Sequence, residues 1–243
     1  MNIEYLKQKI KKSFLGKLII CIRCKYPNVK PKYSYSQTGE DIIIDFFLKE
    51  KKSGFYIDVG AYHPVNLSNT YKFYKRGWNG VNIEPNHNKL SLFKNQRTRD
   101  INLNIGIGQN ETKSKFFIFD ADTLSTFSTQ TAENYKKLGH KVVETKEVDL
   151  IPLKKVIEKY AKNKKIDFLS IDTEGYDLEV LKTNDWNLHR PSFIVLETVE
   201  YNKGILGKKL NDTYDVFMEN VDYKKIADTH INSIFIDKNI SIS

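Results

Sequence analysis

The sequence predicts a doubly wound, Rossmann-like α/β sheet that is mostly parallel and ends in an antiparallel strand at its C-terminal edge. Three observations predict it. Short apolar segments rich in β-branched and aromatic residues alternate with helical segments along the chain. Several of these segments end in an acidic residue. Two consecutive strand-like segments then close the chain, whose 243 residues suffice for one large α/β domain.

The first strand, Phe55–Val59, runs directly into a glycine turn. Tyr56, Ile57 and Val59 suit a strand that is buried on both faces of a parallel sheet. Gly60 permits a sharp turn and a close approach by a ligand. Ligands of open α/β sheets bind beyond the carboxyl ends of the strands, which is where this turn is expected.

The second strand ends at Ile83 and is followed by Glu84, 26 positions beyond Asp58. A carboxylate at this place can accept hydrogen bonds from both hydroxyls of a ribose. The loop after Gly60 lacks the remaining glycines of a G-x-G-x-x-G pattern, which would seat a pyrophosphate. A nucleoside without a pyrophosphate, such as S-adenosylmethionine, therefore fits better than a dinucleotide. The alternative is that Asp58 and Glu84 only cap helices.

The other elements follow from turn, cap and periodicity signals. Ser36 or Thr38 could cap the first helix of the body, and Ser68-Asn69-Thr70 opens the next one, which ends near Gly77. Helices are predicted around residues 40–48, 71–77, 87–93, 153–161, 178–181 and 213–220. Further strands are predicted at 101–107, 166–171, 193–197, 223–227 and 233–236. Two extra strands, at 115–119 and 141–148, indicate an insertion around 112–150 that could form a wall of the active site.

Residues 1–32 form a predicted basic arm that precedes a body of residues 33–243. The arm has nine basic residues against one acid, so it holds eight of the nine net positive charges. The nearly neutral body argues against nucleic acid as a partner. Apolar residues recur at every fourth position of the arm: Leu6, Ile10, Phe14, Leu18 and Ile22. Such a helix could lie on an anionic membrane surface, pack on its own domain or join two copies in a homo-oligomer.

Membrane insertion and disulfide bonding are both disfavoured. Lys17 and Arg23 interrupt the apolar part of the arm, which also lacks a signal-peptide cleavage site. The two cysteines, Cys21 and Cys24, are too few for a disulfide scaffold and suit a reducing cytoplasm. Their C-x-x-C spacing has no second pair to complete a zinc site. A cytoplasmic protein, with contact to the inner membrane surface at most, is expected.

Four predicted strands end in or beside an acid, at Asp58, Glu84, Asp172 and Glu197. Parallel strands present their carboxyl ends at the same edge of the sheet, so these side chains should meet there. One acid at a strand end is common, whereas four are better explained by a functional site.

The chain resembles the FkbM family of S-adenosylmethionine-dependent methyltransferases from about Tyr35 to Tyr201. The likeness rests on the segments 36–41 (SQTGED), 57–61 (IDVGA), 68–70 (SNT), 77–80 (GWNG), 83–85 (IEP) and 171–175 (IDTEG). It implies the class I methyltransferase sheet and O-methyl transfer to a hydroxyl group. The family pattern commonly has a small polar pair where this chain has Tyr62-His63-Pro64. The basic arm lies outside the resemblance.

The resemblance also implies a set of cofactor-binding residues. Asp58, Gly60 and Ala61 would seat the methionine part of S-adenosylmethionine, with Asp58 accepting from its α-ammonium group. Glu84 would bind the ribose. The amino-acid end of the cofactor would be covered by Gln37, Glu40 and Asp41, with help from Asn69.

Transfer to a hydroxyl requires a base or a metal ion, because the acceptor loses a proton as it attacks. Asp172 is the first candidate, followed by Glu174 and Glu197. His63 is chemically suitable near pH 7 but could serve only the turn geometry. Asp172 and Glu197 could instead hold Mg²⁺ together, since magnesium prefers oxygen ligands.

The resemblance implies O-methyl transfer and leaves the acceptor open; a sugar hydroxyl in cell-surface glycan biosynthesis is the acceptor that we expect. The basic arm would suit a nucleotide-linked or lipid-linked acceptor. Two rival classes remain: a non-catalytic protein that docks on membranes, and a nicotinamide-dependent oxidoreductase, which the missing glycines disfavour.

Overall fold

A seven-stranded sheet organises the part of the chain that the computed structural model describes, residues 32–49, 51–199 and 211–241. The strands lie in the order β3-β2-β1-β7-β8-β10-β9 within the unit Ser34–Ser243. Their bounds are β1 Phe55–Val59, β2 Asn79–Ile83, β3 Ile101–Leu103, β7 Phe168–Ile171, β8 Phe193–Glu197, β9 Tyr223–Asp228 and β10 Asn232–Asp237. The first five in this order run parallel, and β10 pairs antiparallel with both β8 and β9. The predicted fold class is confirmed.

Both faces of the sheet are covered, as the continuous apolar runs predict. All five residues of β1 are buried. Because side chains alternate along a strand, Ile57 and Val59 join one apolar cluster while Tyr56 joins the cluster on the opposite face. Parallel strands that are buried on two sides need helices on both faces.

Seven helices of the described residues surround or flank this sheet. Their bounds are α1 Glu40–Leu48, α2 Tyr71–Arg76, α3 His87–Gln96, α4 Thr129–Lys137, α5 Leu153–Tyr160, α6 Asp177–Lys182 and α7 Asn211–Asn220. The N-cap position of α1 is Gly39, in a left-handed conformation, and not Ser36 or Thr38. The Ser36 hydroxyl nevertheless accepts from the backbone N–H of Asp41 at 3.3 Å.

A second, three-stranded sheet is formed by residues 106–151, which follow β3 in the chain and are called the inserted segment below. It consists of β4 Gly106–Ile107, β6 Val142–Ile151 and β5 Thr112–Phe119, in that order. The single strand predicted at 101–107 is wrong, because it divides between the two sheets. Its pairing with β2 stops where the Asn104 amide turns to donate to the carbonyl oxygens of Glu84 and Pro85.

Helix α4, between β5 and β6, was not predicted from the sequence. The Ser128 side chain caps it by accepting from the N–H of Thr131 at 3.1 Å. Only two of its residues, Ala132 and Tyr135, are buried. A stripe this narrow gives a weak helical signal in a polar sequence.

The basic arm predicted for residues 1–32, with Cys21 and Cys24, falls outside the described residues apart from Lys32. Among the helices that are described, none is long and apolar enough to cross a membrane.

Gly60 follows β1 at a point where the backbone passes the end of β7. Its φ is +75°, and a Cβ atom placed on it would lie 1.7 Å from the backbone oxygen of Asp172. The neighbour is main chain of a paired strand and cannot move aside independently. Gly60 is therefore required by the packing of two strands against each other, in addition to its role in the turn.

Substitution of Gly60 by Ala should destabilise the fold far more than the same change at Gly139. Gly139 has a similar φ of +98° but nothing within 4 Å of the added atom. We expect Gly139→Ala to cost about 1 kcal/mol, from the left-handed backbone alone, and Gly60→Ala at least about 3 kcal/mol. Urea unfolding of both variants measures the difference. Equal losses would show that the contact with Asp172 is unimportant.

Candidate active site

A cavity of about 320 Å³ opens at the carboxyl ends of β1, β2, β7 and β8. Main-sheet loops form one side of it, and the inserted segment forms the other. Its lining comprises residues 58–62, 67–69, 83–86, 123–127 and 172–174, together with Gln37, Lys89, Gly106, Ile107, Phe116, Ser170, Tyr176, Val180 and Glu197. This is the edge of an open α/β sheet where ligands bind.

Asp58, at the end of β1, is buried and faces the cavity. Its carboxylate accepts from the Thr70 hydroxyl at 2.7 Å and from the Ser170 hydroxyl. Ser170 in turn accepts from the Asn69 amide at 3.0 Å. Burial raises the pKa of Asp58, and these hydroxyl donors and the charge of Arg97 oppose that rise.

The turn after β1 is fixed by backbone bonds. The N–H groups of Gly60 and Ala61 both donate to the carbonyl oxygen of Ile83, at 3.0 and 3.1 Å. Both residues line the cavity. The end of β2 therefore holds the loop that is predicted to seat the cofactor.

Glu84, directly after β2, is also buried and lines the same cavity. Its two carboxyl oxygens accept from the N–H groups of Tyr62 and Asn86, each at 2.7 Å. Burial raises the pKa of Glu84 to about 7, although both backbone donors favour the ionised form. The carboxylate is therefore held rigidly while its remaining lone pairs can accept from a ligand.

The predicted cofactor-covering residues of segment 36–41 divide into two groups. Gln37 lines the cavity. Glu40 lies outside the lining and accepts from the Thr38 hydroxyl, from Thr229 at 2.9 Å and from the Asn232 amide at 2.7 Å. Asp41 accepts from Ser34 at 2.6 Å and from the N–H of Tyr35 at 2.8 Å. Both acids therefore stabilise the segment itself, which leaves Gln37 as its cavity-facing member.

Asp172 and Glu197 meet across the ends of β7 and β8 and share a hydrogen bond between their carboxyl groups. Burial and the neighbouring carboxylates raise both pKa values, that of Asp172 to about 7 and that of Glu197 to about 11. The bond favours ionised Asp172 and protonated Glu197, so Glu197 donates and Asp172 accepts. Glu197 is therefore the member of the pair that keeps its proton, and Asp172 is the member that ionises.

Two more acids lie next to this pair, Glu174 in the cavity lining and Asp177 outside it. Glu174 accepts a hydrogen bond from the buried Tyr135 of α4, and burial raises its pKa well above the usual value. Asp177 accepts from the N–H of Thr173 at 3.1 Å and lies close enough to raise the pKa of Asp172. The helix that sequence reasoning missed therefore reaches the site through Tyr135.

The structure gives His63 a role in the turn. Its Nδ1 atom accepts from the N–H groups of Val65 and Asn66, at 3.1 and 3.0 Å. His63 is not part of the cavity lining, and burial lowers its pKa. The hypothesis that His63 acts as the base therefore lacks geometric support.

Magnesium binding at Asp172 and Glu197 is likewise not favoured by their arrangement. Each carboxyl group is hydrogen-bonded to the other. Within residues 32–49, 51–199 and 211–241, no group of three or more His, Cys, Asp or Glu side chains is placed to hold a metal ion.

Several residues that contribute to the site were not singled out from the sequence as site residues. Ser170 and Tyr135 donate hydrogen bonds to its acids, as does Thr70, which the sequence marked only as part of a motif at a helix start. Phe116 and Phe127, whose rings lie 4.7 Å apart, form an aromatic wall. A hydroxyl group or an aromatic ring does not by itself indicate a site residue in a sequence. Its role becomes visible only when the segments that lie next to it in the fold are known.

Comparisons with known proteins place these features in a family. Residues 58–225, more than half of the chain, match the family model described as the methyltransferase FkbM domain. A search of curated proteins gave no significant match.

Three solved structures are similar to this chain at low identity. A protein from Staphylococcus aureus, provisionally assigned as a caffeoyl-CoA O-methyltransferase, is 10% identical with a TM-score of 0.44, over 91% of this chain and 98% of its own. An O-methyltransferase from Bacillus cereus in complex with SAH is 11% identical, with a TM-score of 0.36 over 96% and 95% of the two chains. A protein from Klebsiella pneumoniae, provisionally assigned as an O-methyltransferase, is 9% identical, with a TM-score of 0.37 over 90% and 94%.

The family model spans the glycine turn after β1, the acid after β2 and the acids that follow β7 and β8, so sequence and cavity agree. The chain belongs to the FkbM methyltransferase family and is an S-adenosylmethionine-dependent methyltransferase.

Proposed function

We propose that this enzyme methylates a hydroxyl group of a sugar during the synthesis of a cell-surface glycan. The observation that carries the proposal is the division of one cavity into two acidic sides. Asp58 and Glu84 lie on the side of β1 and β2, and the Asp172–Glu197 pair lies on the side of β7 and β8. The first side suits the methyl donor, and the second suits removal of a proton from the acceptor.

The residues on the donor side fit S-adenosylmethionine. Asp58 would accept from the α-ammonium group, Glu84 from the ribose hydroxyls, and Gly60, Ala61, Asn69 and Gln37 would line the remainder. Among the described residues of the lining, Lys89 is the one lysine or arginine, against five acids. Those of the five that are ionised complement the ammonium and sulfonium groups of the donor. When bound, the donor supplies a methyl group activated by its positively charged sulfur.

Asp172 is the proposed general base. Burial and the neighbouring acids raise its pKa to about 7, which places the group near the pH at which a base is most effective. Glu197 holds the proton of the pair and fixes the Asp172 carboxylate by donating to it. Asp172 would accept the proton of the acceptor hydroxyl, and neither side chain needs a metal ion for this role.

The inserted segment supplies a surface suited to a sugar. The ring of Phe127, backed by the buried Phe116, can pack against the apolar face of a pyranose ring, while Thr123 and Ser125 offer hydroxyl groups beside it. The ionised acids of the lining would repel a phosphate. A nucleotide or lipid phosphate on the acceptor would therefore lie outside the cavity, with a neutral sugar inside.

Contact of residues 1–32 with a membrane, a cytoplasmic location and self-association stay predictions. Membership of a methyltransferase family argues against the two rival classes, a docking protein without activity and a nicotinamide-dependent oxidoreductase.

Replacement of Glu84 by Gln should weaken binding of S-adenosylhomocysteine at least about tenfold, because the ribose would lose a charged acceptor. Glutamine keeps one oxygen for one of the two backbone donors while its NH2 group faces the other, so thermal unfolding of the variant checks that the loop stays folded. Isothermal titration calorimetry measures the affinity, with Glu111→Gln as the control, an exposed acid outside the cavity. Unchanged affinity in Glu84→Gln would place the ribose elsewhere.

Replacement of Asp172 by Asn should lower kcat at least about 100-fold while S-adenosylhomocysteine affinity stays within threefold. Glycan extracted from cells that lack the protein serves as the acceptor, and mass spectrometry detects the added methyl group. The wild-type kcat should fall as the pH drops below about 7, because protonated Asp172 cannot act as a base. If the extracted glycan gains no methyl group from the wild-type enzyme, the proposed acceptor class is wrong.

Removal of divalent metals should leave the activity intact. Enzyme dialysed against EDTA should keep its kcat within a factor of two, since the Asp172–Glu197 pair is completed by a proton. The assay is the same methylation of extracted glycan, repeated with added Mg²⁺. Loss of activity in EDTA with recovery in Mg²⁺ would favour the magnesium hypothesis instead.

A further inference from the structure

Arg97, which immediately follows α3, is a fully buried cation next to the donor side of the cavity. All three nitrogens of its guanidinium group donate. Nε bonds to the carbonyl oxygen of Pro64 at 2.7 Å, and Nη1 bonds to the Tyr56 hydroxyl at 2.8 Å. Nη2 bonds to the Ser68 hydroxyl at 2.9 Å and to the Thr70 hydroxyl at 2.7 Å. A buried charge this fully paired is costly to assemble for packing alone.

The bond to Thr70 fixes the direction of a hydroxyl proton. A guanidinium group only donates, so the Thr70 oxygen accepts from Arg97. The single proton of that hydroxyl is then directed at Asp58, whose Oδ2 atom lies 2.7 Å away. Thr70 occupies the N-cap position of α2, yet its side chain caps no backbone N–H there. The Thr70 hydroxyl therefore donates to Asp58 and makes no capping hydrogen bond to the helix.

We propose that Arg97, acting through the Thr70 hydroxyl, positions the Asp58 carboxylate for the α-ammonium group of the methyl donor. Neither Arg97 nor Thr70 lines the cavity, so both act through Asp58. The inference rests on the proposed role of Asp58 as the acceptor for that ammonium group.

The charge balance around Asp58 agrees with a cationic ligand. Arg97 lies between two buried acids, Asp58 and Asp100, the second at 3.3 Å from its Nη1 atom. With both acids ionised, this cluster holds one more negative than positive charge. An ammonium group bound at Asp58 would supply the missing positive charge in a region where unpaired charge is expensive.

Other ionisable groups also act on Asp58 from the elements packed around it. Four groups interact electrostatically with Asp58 or with its partners: Tyr56 of β1, Asp100 before β3, Glu84 after β2 and Asp172 after β7. Most of these oppose its ionisation, whereas Arg97 and the hydroxyls of Thr70 and Ser170 support it. Removal of the Thr70 hydroxyl should therefore move the ionisation of Asp58 to higher pH.

The test is a double-mutant cycle on cofactor affinity with Thr70→Val, which keeps the shape, and Thr70→Ser, which keeps the hydroxyl. Calorimetric titration with S-adenosylhomocysteine is done from pH 6 to pH 8.5 in wild-type and Asp58→Asn backgrounds. We expect Thr70→Val to weaken binding about tenfold at pH 7, with a smaller loss at pH 8.5. Thr70→Ser should restore binding to within threefold of the wild type. In the Asp58→Asn background, the change to Val should have little effect.

Three results would overturn the inference. Equal losses for Thr70→Val in both backgrounds would show that Thr70 only stabilises the fold. Undiminished binding in Thr70→Val, with weak binding in Asp58→Asn, would show that Asp58 needs no positioning while its proposed role stands. Wild-type affinity in Asp58→Asn itself would refute the role of Asp58 and the positioning inference together.

Discussion

The pairing of β1 with both β2 and β7 is the constraint on which the site depends. Asp58 stands opposite Asn82 on one side and Ser170 on the other. Neighbouring strands lie about 4.8 Å apart, so the acids that follow these three strands must converge within about two strand spacings. The absence of a side chain at Gly60 lets the backbone of Asp172 pass in contact with the turn. The distance between the donor loop and the proposed base is thus set by main-chain geometry.

This convergence imposes an electrostatic cost that the protein offsets in two ways. On the donor side, hydroxyl and backbone donors surround Asp58 and Glu84. On the opposite side, donors are fewer, and Glu197 keeps its proton in order to bond to Asp172. Strain of this kind is typical of functional sites, since a sequence selected for stability alone would not bury so many acids together.

The positions of the main strands and the meeting of four acids at one edge could be predicted from the sequence, because β-branched runs and strand-end acids are local signals. The role of Glu40 could not, because its bond from the Asn232 amide joins residues that are far apart in the chain. For His63 the sequence left a catalytic role and a turn role open, and the bonds of its ring to the backbone of Val65 and Asn66 favour the turn. Helix α4 was not predicted because only two of its residues are buried, and its contact with Glu174 depends on where the inserted segment lies.

A cavity that holds a buried carboxylate with a raised pKa is well matched to methyl transfer from a cation. In the proposed reaction, Asp172 takes up a proton as the positive charge on the donor sulfur is lost. A carboxylate and a cation are replaced by two neutral groups, while a neutral acceptor stays neutral. Burial penalises the charged pair more than the neutral products. Burial among other acids disfavours the ionised form of Asp172 and therefore favours transfer of the proton to it. The same cavity would bind the product more weakly, because the sulfur of the product is uncharged.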